Sequence, residues 1–596
     1  MALKSNTKQR FRVLLLIQLV ALVATSQEES PTVRPSAPPQ EDVVIPTRFG
    51  YVRGVRMATR SGRFVDHFRG IPFAEKPQRL KKSTLVRRWN SVLDARSYPP
   101  KCISSIRPDN ETVHDFSEDC LYLNIVRPSG ITNRDKLPVA IYIHGGGFYE
   151  GFGNDPPGET FAEHFAVSDV LVVSIQYRLA MLGFLSLGCG DTRVPCNLGL
   201  WDMLTAFRFT NATIRDFGGD PSNMTLWGHS AGAFAVSLHS MSPLSSKFFR
   251  KYIEMSGSGW SSSRFVAQNS EQSRRILREL RCNVTSADTI FECINRTSLD
   301  DMYTAQVNTI LRPDFGDELL PNWPSELVRE HSRNQKLLTG LMSLESLYFT
   351  YLKSSPQIFP FIDRRFVDDY INSTVAVGYG SADAMDAYTT ASEYYLSAAA
   401  NVSDDDFAYF MERRTKIDSN MGFDVPVLRE TRAKSAAASS VFLYHFPYFN
   451  VAEFDIDFPV KATYHCHEFP FLWGVYKDNR YALDSNDRLV SRFFTQAVVN
   501  FIKFGDPSSS NFTWPKVDDE MTHTVIQPQP TTAKNLFKAD YEFWDSMASK
   551  FQFDLITGLP VDAQFVTTTT GSSAGSAHFF ALLTMILAGT FVRLTA

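Results

Sequence analysis

The chain has 596 residues, 44% of them hydrophobic and 13% aromatic, enough apolar material for a large core. Sixty Lys+Arg against 64 Asp+Glu leave a net charge near −4, which supplies none of the basic field that nucleic acid demands and sets that class of partner aside. From the amino terminus, Lys4, Lys8, Arg10 and Arg12 precede an apolar run from Val13 to Ala24 and small residues around Ser26. This is the layout of a secretory signal peptide over residues 1–26, and the run falls short of the roughly 20 residues a membrane anchor needs. Residues 27–45, rich at first in Pro, Ser and Glu, read as a disordered leader. From residue 46 to 558 no repeat, linker or block of like charge interrupts the chain, so one large domain is expected. Within it Val139–Ile143, Val170–Ile175, Met224–Trp227, Leu337–Gly340 and Val441–Phe446 read as buried strands. They are largely apolar instead of alternating, which predicts an α/β fold: a large, mostly parallel central sheet with helices on both faces. Residues 559–578 form a Thr/Ser-rich spacer, and the apolar tail over 579–596 reads as a lipid (GPI) attachment signal, with a membrane span or a loosely ordered tail as the alternatives.

A secretory route makes thiols and sequons meaningful. Seven cysteines, Cys102, Cys120, Cys189, Cys196, Cys282, Cys293 and Cys466, leave at least one unpaired within the chain. N-x-S/T sequons at Asn110, Asn211, Asn223, Asn283, Asn295, Asn372, Asn401 and Asn511 point to a glycosylated protein outside the cell, either secreted or held on the outer surface.

The strongest chemical signal is Gly228-His229-Ser230-Ala231-Gly232, which follows the strand Met224–Trp227 and precedes a helical pattern from Ala233 to His239. A serine in a strand-to-helix turn needs small residues two before and two after it, and the helix N-terminus favours the negative charge that develops there. A second motif, His144-Gly145-Gly146-Gly147-Phe148, follows the strand Val139–Ile143. Its glycines let backbone N–H groups converge, and Gly146, Gly147 and Ala231 are the expected oxyanion donors. Phosphate-binding spacings are absent from that loop.

Beyond these motifs the sequence resembles the type-B carboxylesterase/cholinesterase family of α/β-hydrolases, most of all invertebrate carboxylesterases. The likeness is carried by Phe68-Arg69-Gly70-Ile71-Pro72-Phe73-Ala74, Ser117-Glu118-Asp119-Cys120-Leu121-Tyr122-Leu123-Asn124, the run Asn197 to Asp202, Phe217-Gly218-Gly219-Asp220-Pro221, Phe504-Gly505-Asp506-Pro507 and Trp514-Pro515. The resemblance implies an acid at Glu345, in the loop after Leu337–Gly340, and a base at His465, in His465-Cys466-His467-Glu468, with His467 as the less favoured choice. It also implies pairing of Cys102 with Cys120 and of Cys282 with Cys293. Cys189 and Cys196 either pair locally or stay reduced, and Cys466 stands where the family has glycine, read as packing beside the base.

The expected catalytic set is therefore Ser230, Glu345 and His465, acting on small-molecule esters through an acyl-enzyme without metal or other cofactor. Two features of cholinesterases are missing: Asn110 replaces a tryptophan, and His229 replaces the glutamate before the nucleophile. Uncharged esters are thus expected over acetylcholine. A cholinesterase and a non-catalytic adhesion ectodomain are the competing readings.

Overall fold

Every strand expected from the apolar runs forms, with its ends moved by a few residues. The computed structural model describes residues 41–106, 115–261, 266–352, 359, 361–397, 402–455, 458–474 and 483–561. The signal peptide, the leader up to residue 40, the tail over 579–596, Asn110 and Asn401 lie outside the described residues.

The strands along the main path of the large sheet are, in chain order, β1 (Glu41–Thr47), β2 (Gly50–Ala58), β3 (Phe64–Pro72), β4 (Tyr122–Pro128), β5 (Leu137–Ile143), β6 (Leu171–Ile175), β7 (Gly219–His229), β8 (Lys251–Met255), β9 (Lys336–Met342), β10 (Ser440–Phe446), β11 (His523–Val525) and β12 (Thr531–Ala533). They hydrogen-bond in the order β1-β2-β3-β4-β6-β5-β7-β8-β9-β10-β11-β12. The pairs from β6 to β11 are parallel. The pairs that join β1, β2, β3, β4 and β6 are antiparallel, as is β11 with β12. Four helices matter for the site: α1 (Leu198–Thr213), α2 (Ala231–Met241), α3 (Val425–Ala436) and α4 (Ser485–Phe504).

Alternation along the central strands explains why they read as unbroken apolar runs. Val139, Ile141 and Ile143 of β5 join Leu226, Tyr252 and Leu337 in one core with residues of α1 and α2. Ala140 and Tyr142 point the other way, into a second core with Trp227, Ile253, Leu338, Phe442 and α4. Both faces of the sheet are covered, so both sets of alternate positions are mostly apolar, and the buried Glu254 of β8 is paired with Lys434. A third apolar cluster, including Leu347, Ile371, Tyr395, Phe410 and Trp544, organises helices that follow β9.

The family-like blocks away from the nucleophile turn out to be clips. Arg79 forks onto Glu118 with two 2.7 Å bonds. The Asn124 Oδ1 accepts the Gly70 N–H at 2.9 Å, tying β3 to β4. Arg178 grips the buried Asp202 of α1 with two bonds of 2.7 Å. Gly505, at φ 69°, ends α4 in the left-handed conformation that glycine adopts without steric cost.

Two expected boundaries are corrected. Residues 41–45 are not part of a disordered leader: Glu41–Thr47 pairs along its whole length with β2, and Ile45 is buried. Pairing with β2 and burial of Ile45 outweigh the acidic pair Glu41 and Asp42. The spacer likewise begins later than residue 559, because Leu559–Pro560 pairs with Phe553–Asp554. No helix among the described residues is long and apolar enough to cross a membrane.

Candidate active site

β7 turns into α2 through a single residue, Ser230, held at φ 57° and ψ −126°. A non-glycine residue there carries about 1–3 kcal/mol of backbone strain, so the surroundings must impose it. They do so from both sides: the Ser230 N–H donates to the Met255 carbonyl of β8 at 2.9 Å, and its carbonyl accepts the Phe234 N–H at 2.9 Å. The flanking glycines answer the expected steric demand. A Cβ on Gly228 would stand 2.4 Å from the Gly232 backbone, and one on Gly232 would stand 2.1 Å from the Ile143 carbonyl of β5.

The glycine loop leaves the carboxyl end of β5, directly beside that turn. A Cβ on Gly145 would approach the Ser230 Cβ to 3.1 Å, which leaves no room for a side chain between loop and serine. Gly146 and Gly147 have φ values of 100° and 60°, backbone that larger residues resist. The loop is pinned by the Tyr177 hydroxyl, which donates to the His144 carbonyl at 3.0 Å, and by the Ala180 N–H, which donates to the Phe148 carbonyl at 2.8 Å. The His144 ring stacks on Tyr177, and burial pushes its pKa down to about 4, so it is neutral at pH 7.

Glu345 lies three residues beyond the end of β9 and is fully buried. Its Oε1 accepts the Met342 N–H at 2.9 Å, and its Oε2 pairs with His465 Nδ1 at 2.8 Å. The backbones join as well, with the His465 N–H on the Glu345 carbonyl at 3.1 Å and the Leu344 N–H on the Thr463 carbonyl at 2.9 Å. The other nitrogen of His465, Nε2, meets no hydrogen-bond partner among the described residues. The ring packs 4.6 Å from that of His229, the residue before Ser230, with Phe349 and Phe423 at 5.0 and 4.9 Å. The residues singled out from sequence as nucleophile, acid and base thus all follow strands of the parallel part of the sheet, Ser230 after β7, Glu345 after β9 and His465 in the loop after β10.

His467 faces elsewhere. It is buried against Tyr464 and Phe471 with its Nε2 3.1 Å from Glu453, and burial holds its pKa down at about 3. Cys466 sits between the two histidines, partly exposed, at φ 73°.

Two buried carboxyls flank Glu345 and were not singled out from sequence. Burial, and then the charge of Glu345, pushes both Asp424 and Glu468 well above the ordinary carboxyl range. Glu468 sits inside the family-like block around His465, whereas no motif marks Asp424, Phe349 or Phe423. A cleft of about 500 Å³ runs along the loop that carries Glu345, lined among others by Ser343, Lys416, Asn420, Asp424 and Asp540; neither Ser230 nor His465 contributes to its walls.

Three disulfides are present, Cys102–Cys120, Cys189–Cys196 and Cys282–Cys293, with Cys466 outside them. Among the sequons, Asn211, Asn283, Asn295, Asn372 and Asn511 are exposed. Asn223 is only partly exposed. Its side-chain amide is engaged by the Lys251 ammonium and the Lys503 carbonyl, and the Thr225 of its sequon is buried within β7.

This sheet order, with a strained serine between strand and helix, is that of an α/β-hydrolase. The profile of the carboxylesterase family matches residues 41–544, and the chain belongs to that family; it is a carboxylic ester hydrolase. It is 29% identical over 563 residues to "Gut esterase 1" of Caenorhabditis briggsae, covering 89% of this chain and 96% of the relative. It is 28% identical to "Liver carboxylesterase" of Sus scrofa, over 89% of this chain and 97% of the relative. It is also 28% identical to "Acetylcholinesterase 1" of Caenorhabditis elegans, over 80% of this chain and 83% of the relative.

Proposed function

We propose that this protein is a secreted or surface-anchored serine carboxylesterase that hydrolyses uncharged esters through an acyl-enzyme on Ser230. The observation that carries the reading is the buried 2.8 Å pair between His465 Nδ1 and Glu345, which leaves Nε2 as the nitrogen available to act as base, in a ring packed against that of His229 next to Ser230. Ser230 attacks the ester carbonyl while His465 takes its proton and then returns it to the leaving alcohol. Glu345 holds the tautomer and stabilises the imidazolium. The N–H groups of Gly146, Gly147 and Ala231 receive the oxyanion, and water repeats the sequence to release the carboxylic acid.

The aromatic rings of Phe349 and Phe423 beside His465 suit an apolar acyl or alcohol group. His229 in place of glutamate, beside the nucleophile, removes an anion that would favour a cationic choline head. The intact Glu345–His465 pair also weighs against a purely adhesive ectodomain. Three disulfides suit an oxidising compartment, and Asn211, Asn283, Asn295, Asn372 and Asn511 are the glycan sites we assign there.

The test is turnover of p-nitrophenyl butyrate and acetylthiocholine by the purified protein, with Ser230→Ala as blank, together with covalent labelling by an organophosphonate. Butyrate turnover with labelling at Ser230 is expected; neither turnover nor labelling defeats the assignment. Release of surface protein from expressing cells by phosphatidylinositol-specific phospholipase C tests the anchor.

A further inference from the structure

The catalytic histidine has two neighbours that ester hydrolysis does not need. The ligand atoms of His229, His465 and Cys466 all lie within 4.8 Å of one another. Both imidazoles are buried, while Cys466 is partly exposed on the same patch. Cys466 also occupies a left-handed backbone position, φ 73°, where glycine is free and a side chain costs about 1 kcal/mol. No hydrolytic step uses its thiol.

We propose that a soft divalent cation of the zinc class binds across His229, His465 and Cys466 and switches the esterase off. The donor set is the one such ions prefer, two imidazoles and a thiolate, with a fourth position left open. Zinc holds nitrogen at about 2.0–2.1 Å and sulfur at about 2.3 Å, so the three atoms close in by roughly 1 Å, within reach of side-chain rotation at Cys466. One part of the supporting shell is in place and a second carboxyl stands nearby. Glu345 Oε2 fixes His465 Nδ1 at 2.8 Å, which directs Nε2 at the ion, and Glu468 Oε1 stands 3.8 Å from His229 Nε2. Binding displaces the thiol proton of Cys466 to solvent and forms one metal–sulfur and two metal–nitrogen bonds. The lone pair on His465 that would accept the Ser230 proton is then spent on the metal, and acylation stops. Chelation of the ion restores the base.

The inhibition rests on the esterase reading of His465, but the metal site does not, and the experiment separates them. Cobalt(II) is titrated into the full-length Ser230→Ala protein, which needs no activity, and the absorption spectrum is followed. One equivalent should bind with a sulfur-to-cobalt charge-transfer band that Cys466→Gly, introduced into the same protein, abolishes. In parallel, zinc inhibition of p-nitrophenyl butyrate hydrolysis is compared between wild type and Cys466→Gly. Loss of a second-shell partner alone weakens metal sites 10- to 100-fold, so loss of this ligand should raise the half-inhibitory zinc concentration at least about tenfold. Absence of the charge-transfer band, or equal zinc sensitivity in wild type and Cys466→Gly, overturns the proposal. A wild type that hydrolyses no ester removes the esterase reading, and the cobalt titration then decides the metal site by itself.

Discussion

Replacing Glu345 by glutamine tests the relay with almost no change of shape. In the native site Oε1 takes the Met342 N–H at 2.9 Å and Oε2 takes His465 Nδ1 at 2.8 Å, so both oxygens act as acceptors. The amide of Glu345→Gln has one acceptor. The Met342 N–H cannot be moved, because it belongs to the last residue of β9, so the carbonyl oxygen stays there and the NH₂ group faces His465. A donor at that place makes Nδ1 the acceptor and puts the proton on Nε2, where a lone pair is required. The ring keeps its position and loses its function as base. In serine hydrolases with this relay such a change costs about ten-thousandfold in kcat, or roughly 5 kcal/mol of transition-state stabilisation. KM should change by less than about threefold, since the binding pocket is untouched. The assay is p-nitrophenyl butyrate hydrolysis by protein whose near-ultraviolet circular dichroism matches wild type. A folded Glu345→Gln that retains more than a tenth of wild-type kcat would refute the role of this carboxylate.

Other consequences reach beyond the relay. Lys434 is buried on α3 between Glu254 at 2.8 Å and Glu430 at 2.7 Å; Lys434→Met leaves both carboxyls without their cation and should cost about 3–5 kcal/mol in urea unfolding at pH 7, a loss below 1 kcal/mol counting against the network. Burial pushes His239 from 6.5 down to about 3, so the neutral ring contributes stability that is complete above pH 6.5 and is lost as pH falls toward 3. His239→Gln should therefore flatten the fall in melting temperature between pH 6.5 and pH 4, and an unchanged slope would show that other groups govern it. Gly232→Ala drives a methyl to 2.1 Å from the Ile143 carbonyl; with backbone on both sides it should lower the yield of folded protein and abolish organophosphonate labelling, whereas normal labelling would contradict the packing at the elbow.

How far the sequence revealed this architecture depends on whether the informative residues are neighbours in the chain. The elbow and the glycine loop are local: each needs a strand end, a few small residues and a turn, and all of these stand within about ten positions. β5, β6, β7, β9 and β10 were legible for a similar reason, because both of their faces are covered and their sequences run mostly apolar, whereas β8 carries the buried Lys251 and Glu254 and was not read as a strand. Glu345 and His465 stand 120 residues apart, and no periodicity relates them. They were singled out through family likeness, and what joins them physically is the pairing of two loops at Leu344 with Thr463 and Glu345 with His465. Asp424 and Phe423 had no motif at all; Phe349 lies four residues beyond Glu345, whereas the nearness of Asp424 and Phe423 to Glu345 and His465 arises from the helices after β9, whose packing no short window encodes. The error at residues 41–45 has the opposite origin. Glu41 and Asp42 look like the end of a solvated leader until β2 is present to pair with them, and an edge strand gains most of its stability from that partner and little from its own composition. Cys466 extends the argument to the site itself. Its unusual backbone conformation and its closeness to His229 emerge only when the loop after β10 is folded back onto the elbow, so a residue that reads as a packing substitution in the chain places, in space, a sulfur within 4.8 Å of two imidazole nitrogens.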